Sequence, residues 1–328
     1  MKHRLTKRIL SLFCAGALGF ALPASANMFL AEDIQTVAAV NHPPVAEALC
    51  LDTYKNVEVQ GAFSGVDPEG DALTFQLISK PARGAVTQAE NGSAAFTYTP
   101  YEGKKGKDSF TYVAVDDHGN TSKPAKVKIV IQKQTAVMGY SDMEGDPAHY
   151  AALHLAQAGV YTGRRVGSLY CFDPDSAFTR EEFLAMAMTA AGKAPLADVT
   201  LTGFYDDGDI SAWAKGYVSA ALVVGTVRGS RNSEGQTVFA PGSPITRGEA
   251  AVIIDRLLAT GDVADTASAF SPDTVPAWAY QSAVNMEAVS VLSGASDLSQ
   301  PITRGEAAQM LSAMLDVLDS RQTSGWFW

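Results

Sequence analysis

Cysteine is scarce in this sequence: three residues in 328. Cys14 falls in the N-terminal segment, and Cys50 and Cys171 lie in different predicted domains, so a disulfide framework is excluded. Histidine is almost as rare. His149 and His154 stand five positions apart rather than the four that stacks two metal ligands on one helix face, and His149 reads as a polar group near a helix start. Glycine-rich phosphate loops are missing. Gly61-Ala-Phe-Ser-Gly65 has the wrong spacing for a nucleophile elbow and reads as a turn between strands. The adjacent carboxylates Asp206 and Asp207 read as an acidic turn. With no nucleophile and base and no metal cluster in view, neither catalytic residues nor a cofactor is expected.

Long apolar runs are also missing beyond the N-terminus. Lys2, Arg4, Lys7 and Arg8 form a basic start, Ile9 to Leu22 an apolar stretch, and Ala24-Ser25-Ala26 a small-residue cleavage site. Residues 1–26 therefore read as a secretory signal peptide and 27–40 as a linker. The apolar stretch is short for a bilayer, so no membrane span is expected. Positive charge is the minority sign. The chain has 25 basic and 35 acidic residues, and the signal holds four basic and no acidic ones, so the mature net charge is 21 − 35 = −14. No general affinity for nucleic acid or anionic lipid follows, and any anion must be held by local geometry.

Residues 41–133 alternate apolar and polar side chains between turn residues. Val57–Val59, Ala72–Leu77, Ala95–Thr99, Asp108–Val115 and Ala125–Ile131 read as strands, with Phe110, Tyr112 and Ala114 on one face. The pattern predicts an antiparallel β-sandwich that folds by itself. The acidic residues Asp67, Glu69, Asp71, Asp116 and Asp117 offer oxygen ligands of the kind calcium takes. Acidic residues that shape and solvate turns explain them as simply, and that reading is preferred.

The C-terminal half repeats one phrase three times: Phe172-Asp-Pro-Asp-Ser-Ala-Phe-Thr-Arg-Glu-Glu182, Phe239-Ala-Pro-Gly-Ser-Pro-Ile-Thr-Arg-Gly-Glu249 and Pro301-Ile-Thr-Arg-Gly-Glu306. Thr179 and Glu182, Thr246 and Glu249, and Thr303 and Glu306 each fit a capping box, and an apolar run follows each one. Phe178 and Phe183 are placed for a hydrophobic staple. Met186, Met188, Met310 and Met314 fall at core spacing. A second helix precedes each box. Trp213 and Trp278 each lie sixteen residues before a glycine, Gly229 and Gly294, whereas sixteen before Gly163 stands Pro147.

A Trp-Ala near a helix start, a later glycine, then Phe-x-Pro and Thr-Arg-x-Glu resemble the S-layer homology module. The resemblance spans three copies, at 139–193, 203–260 and 268–318, with a tail at 319–328 that is expected to pack on the rest. It implies a mainly α-helical, pseudo-threefold spindle bound to a secondary cell-wall polysaccharide, an acidic and pyruvylated polymer. Val66-Asp-Pro-Glu-Gly-Asp-Ala-Leu-Thr-Phe75 and Asp108-Ser-Phe-Thr-Tyr-Val-Ala-Val-Asp-Asp-His-Gly119 resemble bacterial Ig-like, cadherin-like modules, which act as spacers or adhesive arms.

The expected molecule is a multidomain, non-catalytic protein of the cell wall or surface layer: an Ig-like sandwich followed by the spindle. The alternatives are a wall-anchored glycan-processing enzyme and a self-associating lattice or adhesion component. The resemblance puts polymer binding on Arg180, Arg247 and Arg304, on Trp213 and Trp278, and on Gly163, Gly229 and Gly294. The tryptophans read equally as core anchors or as sugar-stacking walls. Each arginine is the first residue of its helix, where a cation opposes the macrodipole; it serves either an anionic ligand or an acidic side chain of a neighbouring copy. Arg180 is expected to matter least, because its own copy lacks the tryptophan.

Overall fold

The computed structural model describes residues 41–135, 138–263, 268–293 and 297–324. The signal peptide, the 27–40 linker, Gly294 and the last four residues lie outside the described residues.

Nine strands build the first part: β1 (Val45–Ala46), β2 (Leu49–Tyr54), β3 (Val59–Ala62), β4 (Gly65–Val66), β5 (Thr74–Leu77), β6 (Gly84–Gln88), β7 (Ala95–Pro100), β8 (Gly106–Val115) and β9 (Ala125–Gln132). They form a sheet ordered β2-β9-β8-β5, a sheet ordered β3-β7-β6, and the pair β1-β4. Alternation works as expected on β9, where Ala125, Val127, Ile129 and Ile131 are buried and Lys126 and Lys128 face out. Phe110, Tyr112 and Ala114 of β8 are buried together. Phe63 stacks on Phe96 and Tyr112 at ring separations of 4.4 and 4.3 Å. The buried Tyr112 hydroxyl is satisfied by donating to the Glu47 carbonyl at 2.5 Å and accepting from the Ser64 amide at 3.1 Å.

One expectation fails here. The sandwich is not wholly antiparallel, because β2 runs parallel to β9, with Leu49 opposite Val127 and Tyr54 opposite Gln132. Side-chain alternation records which face is buried and carries no information about strand direction. A parallel pair needs a long crossover, and here everything between β2 and β9 supplies it.

The second part holds six helices among the described residues: α1 (His149–Gln157), α2 (Arg180–Ala190), α3 (Ala212–Val223), α4 (Arg247–Leu258), α5 (Ala277–Ala288) and α6 (Arg304–Ser324). Two hairpins lie between helices: β10 (Arg164–Val166) with β11 (Leu169–Cys171), and β12 (Ser230–Arg231) with β13 (Thr237–Val238). All three capping boxes form. The Thr179, Thr246 and Thr303 hydroxyls accept from the Glu182, Glu249 and Glu306 amides at 3.4, 3.3 and 3.2 Å, and each glutamate accepts from its threonine's amide at 3.0, 3.1 and 2.9 Å. Phe178 and Phe183 meet edge to face at 6.4 Å, as a staple should. The 318/319 boundary cuts through α6, which runs on to Ser324 because neither glycine nor proline interrupts it after Gly305.

The copies interlock. The first helix of each copy packs on the second helix of the copy before it: α3 on α2, α5 on α4, and α1 back on α6. The strand-like segments leading into the capping boxes also close a circle, through bridges Ala177–Thr303, Thr179–Pro244 and Thr246–Pro301. Small buried residues let the helices approach, among them Ala187, Ala214, Ala250, Ala251, Ala279, Ala307 and Ala308. The methionines are core residues, as expected. The sandwich meets this assembly at α1, where the Tyr54 and Tyr150 rings stack at 5.4 Å and Tyr54, Val57 and Leu153 are buried together.

Candidate functional site

Cyclic packing places residues of all three copies around one cleft of ≈ 450 Å³. Arg180 comes from the start of α2, Arg228 and Gly229 from the loop after α3, Glu249 and Arg256 from one face of α4, and Trp278 from the first turn of α5. Three of the candidate residues, Arg180, Gly229 and Trp278, thus meet although they belong to different copies. The low rank expected for Arg180 assumed a groove built within one copy; the tryptophan beside it comes from the third. Arg228 and Arg256 escaped the sequence reading. Their signals were present: Arg228 adjoins Gly229, and Arg256 lies seven residues beyond Glu249 on the same helical stripe.

The electrostatics of this cleft oppose those of the chain. Three guanidinium groups face one carboxylate. Arg256 donates to the Thr226 carbonyl at 2.9 Å, and burial, then Arg228, lowers its pKa. Arg180 donates to Glu249 at 2.7 Å and lies over the Phe239 ring at 5.5 Å. Its Nε is buried without a partner. Trp278 is 59% exposed and Trp213 54% exposed, so neither is a core anchor. The Trp278 ring lies over Gly248, where a β-carbon would meet it at 3.5 Å.

Gly229 has a backbone reason to be glycine. Its φ is +74°, and a β-carbon there would stand 2.5 Å from Phe204 and 2.8 Å from the Val238 carbonyl. Gly163 matches it in the first copy, with φ +78° and the Cys171 carbonyl 2.6 Å from where a β-carbon would be. Both glycines open the hairpin that follows a first helix.

The arginine at the head of each helix reaches a neighbouring copy. Arg247 donates to Glu306 at 2.6 Å, so Glu249 and Glu306 each serve a capping box and an arginine of the preceding copy. Arg304 departs from this rule. It donates to the Phe172 carbonyl at 2.8 Å, with the Asp173 carboxylate 3.7 Å away. Arg247 lines a second cleft of ≈ 770 Å³ with Glu306 and Gln309, and its far wall is Ala62 and Ser64 of the sandwich, not a tryptophan.

The acidic pair splits into two structural roles. Asp206 accepts from the amides of Phe239 and Ala240 at 2.8 and 2.7 Å, which holds Ala240 at φ +58°. Asp142 does the same for Phe172 and Asp173 in the first copy. Asp207 takes the Lys215 ammonium at 2.5 Å. Cys50 and Cys171 are free thiols, and hydrogen bonds to Asp173 and Asp142 push the Cys171 pKa up to about 11. His149 begins α1, and its burial lowers its pKa. Ser64 donates to the Glu47 carboxylate at 2.6 Å in the turn after β3.

Residues 41–130 match the bacterial Ig domain family. This segment is a bacterial Ig domain. The chain is also 34% identical over 132 residues to an amylopullulanase of Thermoanaerobacterium thermosulfurigenes, covering 39% of this chain and 7% of that protein. It is 34% identical over 137 residues to the exoglucanase XynX of Acetivibrio thermocellus, covering 40% and 12%. It is 28% identical over 129 residues to a surface-layer 125 kDa protein of Lysinibacillus sphaericus, covering 38% and 10%. The chain thus spans about an eighth or less of these relatives. Among solved structures, an endo-fucoidan hydrolase of glycoside hydrolase family 107 is 25% identical over 30% of this chain and 14% of its own, with a TM-score of 0.24. No helix among the described residues is long and apolar enough to cross a membrane.

Proposed function

We propose that this is a non-catalytic surface protein whose helical part is an S-layer homology spindle, holding an acidic wall polymer while the Ig domain serves as a spacer or adhesive arm. The observation that carries this reading is the cleft of Arg180, Arg228, Arg256 and Trp278, a cationic pocket with an exposed aromatic face on a chain of formal charge −10. Guanidinium forks suit carboxylate groups, and an indole face suits the apolar side of a sugar ring. The cyclic interlocking of three copies supports the spindle. Relatives named both as glycan-processing enzymes and as a surface-layer protein fit an anchoring part that such proteins share.

The test is pull-down of the mature protein on purified cell-wall sacculi, before and after the secondary polymer is stripped. Binding should vanish on stripping and fall at least tenfold in Arg228→Gln and Trp278→Ala. Binding that survives stripping overturns the polymer reading. Release of reducing sugar from wall or storage glycans by the pure protein would favour the wall-anchored enzyme instead.

A further inference from the structure

At the end of the Ig domain where the chain enters, two turns and Asn41 converge. Asp67 follows β4, Asp71 lies four residues on, and Asp116 follows β8. One ligand oxygen from each of the three lies within 4.8 Å of the others. The expectation of solvated turns does not hold for two of them: Asp67 is 8% and Asp116 5% exposed. Asp67 uses one oxygen to fasten its turn, accepting from the amides of Glu69 and Asp71 at 2.9 and 3.1 Å. Its other oxygen is buried and has no hydrogen-bond partner. Asp116 accepts from the amides of His118 and Asn120 with one oxygen, and from the side chains of Asn41 and Asn120 with the other, both at 2.9 Å. That bond holds the Asn41 amide in place with its own carbonyl oxygen buried and without a partner.

Two orphaned acceptors beside three close carboxylates are costly unless a positive charge joins them. Among the described ion pairs, no lysine or arginine reaches these carboxylates. The nearby bases are imidazoles on the rim: His118 at 3.1 Å from Asp71 and 2.7 Å from Asp117, and His42 on Glu69 at 2.7 Å.

We propose that Asn41, Asp67, Asp71 and Asp116 form a binding site for a hard divalent cation, with calcium as the ion its ligands suit. All four offer oxygen, from loops whose geometry can adapt to the six to eight ligands that calcium takes, whereas magnesium demands a stricter octahedron and gives up its waters reluctantly. The bound ion would tie the entry residue of the domain to two of its turns.

The experiment is thermal melting of the full mature chain, stripped with EGTA and then given calcium chloride or magnesium chloride at matched ionic strength. The Ig-domain transition should rise with calcium up to the millimolar range, return with EGTA, and move much less with magnesium. Asp67→Asn keeps the oxygen that fastens the turn and replaces the orphaned one with an amide nitrogen. It should melt no lower than the native chain without calcium and should weaken the calcium response at least tenfold. If that variant does not fold, Asp71→Asn gives the same readout, since the Asp71 carboxylate accepts from His118 and fastens no turn. A native transition indifferent to millimolar calcium overturns the proposal. So does a calcium response in the folded Asp67→Asn or Asp71→Asn chain equal to the native one.

Discussion

The Ig domain and the helical part solve the same burial problem over different spans of chain. The Ig domain closes its core, from Phe63 to Ile131, within one contiguous segment. No helical copy does so. Each lays its second helix under the first helix of the next, and the third copy must reach back to the first through α6 and α1. A short amphipathic helix pair has too little apolar face to stand alone, so the repeat gains a core only when the circle closes. The lesson is that sequence copies and packing units need not coincide.

The strongest way to break this comparison is to remove the third copy. A chain ending at residue 263 should lose its cooperative helical transition by circular dichroism, because α1 and α4 lose α6 and α5, while residues 41–133 alone should still fold. A surviving helical transition would show that two copies suffice. Next in size are single core truncations. Phe178→Ala should cost about 3–5 kcal/mol in the helical transition, and Phe110→Ala a similar amount in the Ig transition. Calorimetry checks whether each leaves the other transition in place. If both move together, the Tyr54–Tyr150 contact couples the two parts.

Smaller effects sharpen the cyclic picture. Arg180→Gln and Arg247→Gln should each cost about 1–3 kcal/mol, since each leaves a glutamate without its charged partner. Arg304→Gln should cost less, because its carboxylate is 3.7 Å away and more exposed. A double-mutant cycle of Arg180→Gln with Glu249→Gln, which keeps a capping-competent side chain, should be non-additive. The smallest effect is titrational. The Lys215 ammonium, then the Thr202 amide, holds Asp207 down to about 2. A depressed folded pKa means that its stabilisation is present above the unfolded value of about 4 and is lost as pH falls towards 2. Acid melting from pH 5 to 2 should show that slope in the native chain and a shallower one in Asp207→Asn.

The starts of α2, α4 and α6 were fully legible, because a capping box is satisfied by residues three apart and needs nothing distant. β9 and the inward face of β8 were legible for the same reason: alternation is local. β1, β2, β4 and β6 were missed; β1 and β4 are two residues long, β2 is a sheet edge whose apolar Leu49 and Leu51 are only half-buried, and β6 is a short edge strand carrying Gly84, Thr87 and Gln88. The glycines at 163 and 229 were found by spacing, although their reason, a left-handed turn pressed against a carbonyl, is visible only in three dimensions.

The arginines show most plainly where sequence stops. Their place at the first helical residue, and the two uses open to them there, follow from the repeat itself. Which copy each arginine faces, and which tryptophan stands beside it, depends on how three helix pairs close into a circle. That choice belongs to side-chain packing between segments some sixty to one hundred and thirty residues apart, as in Arg247 to Glu306 and Arg304 to Phe172. A local pattern determines where a helix begins and which side is apolar. It says nothing about which other apolar side will cover it, so the composition of the cleft was decided by tertiary structure alone.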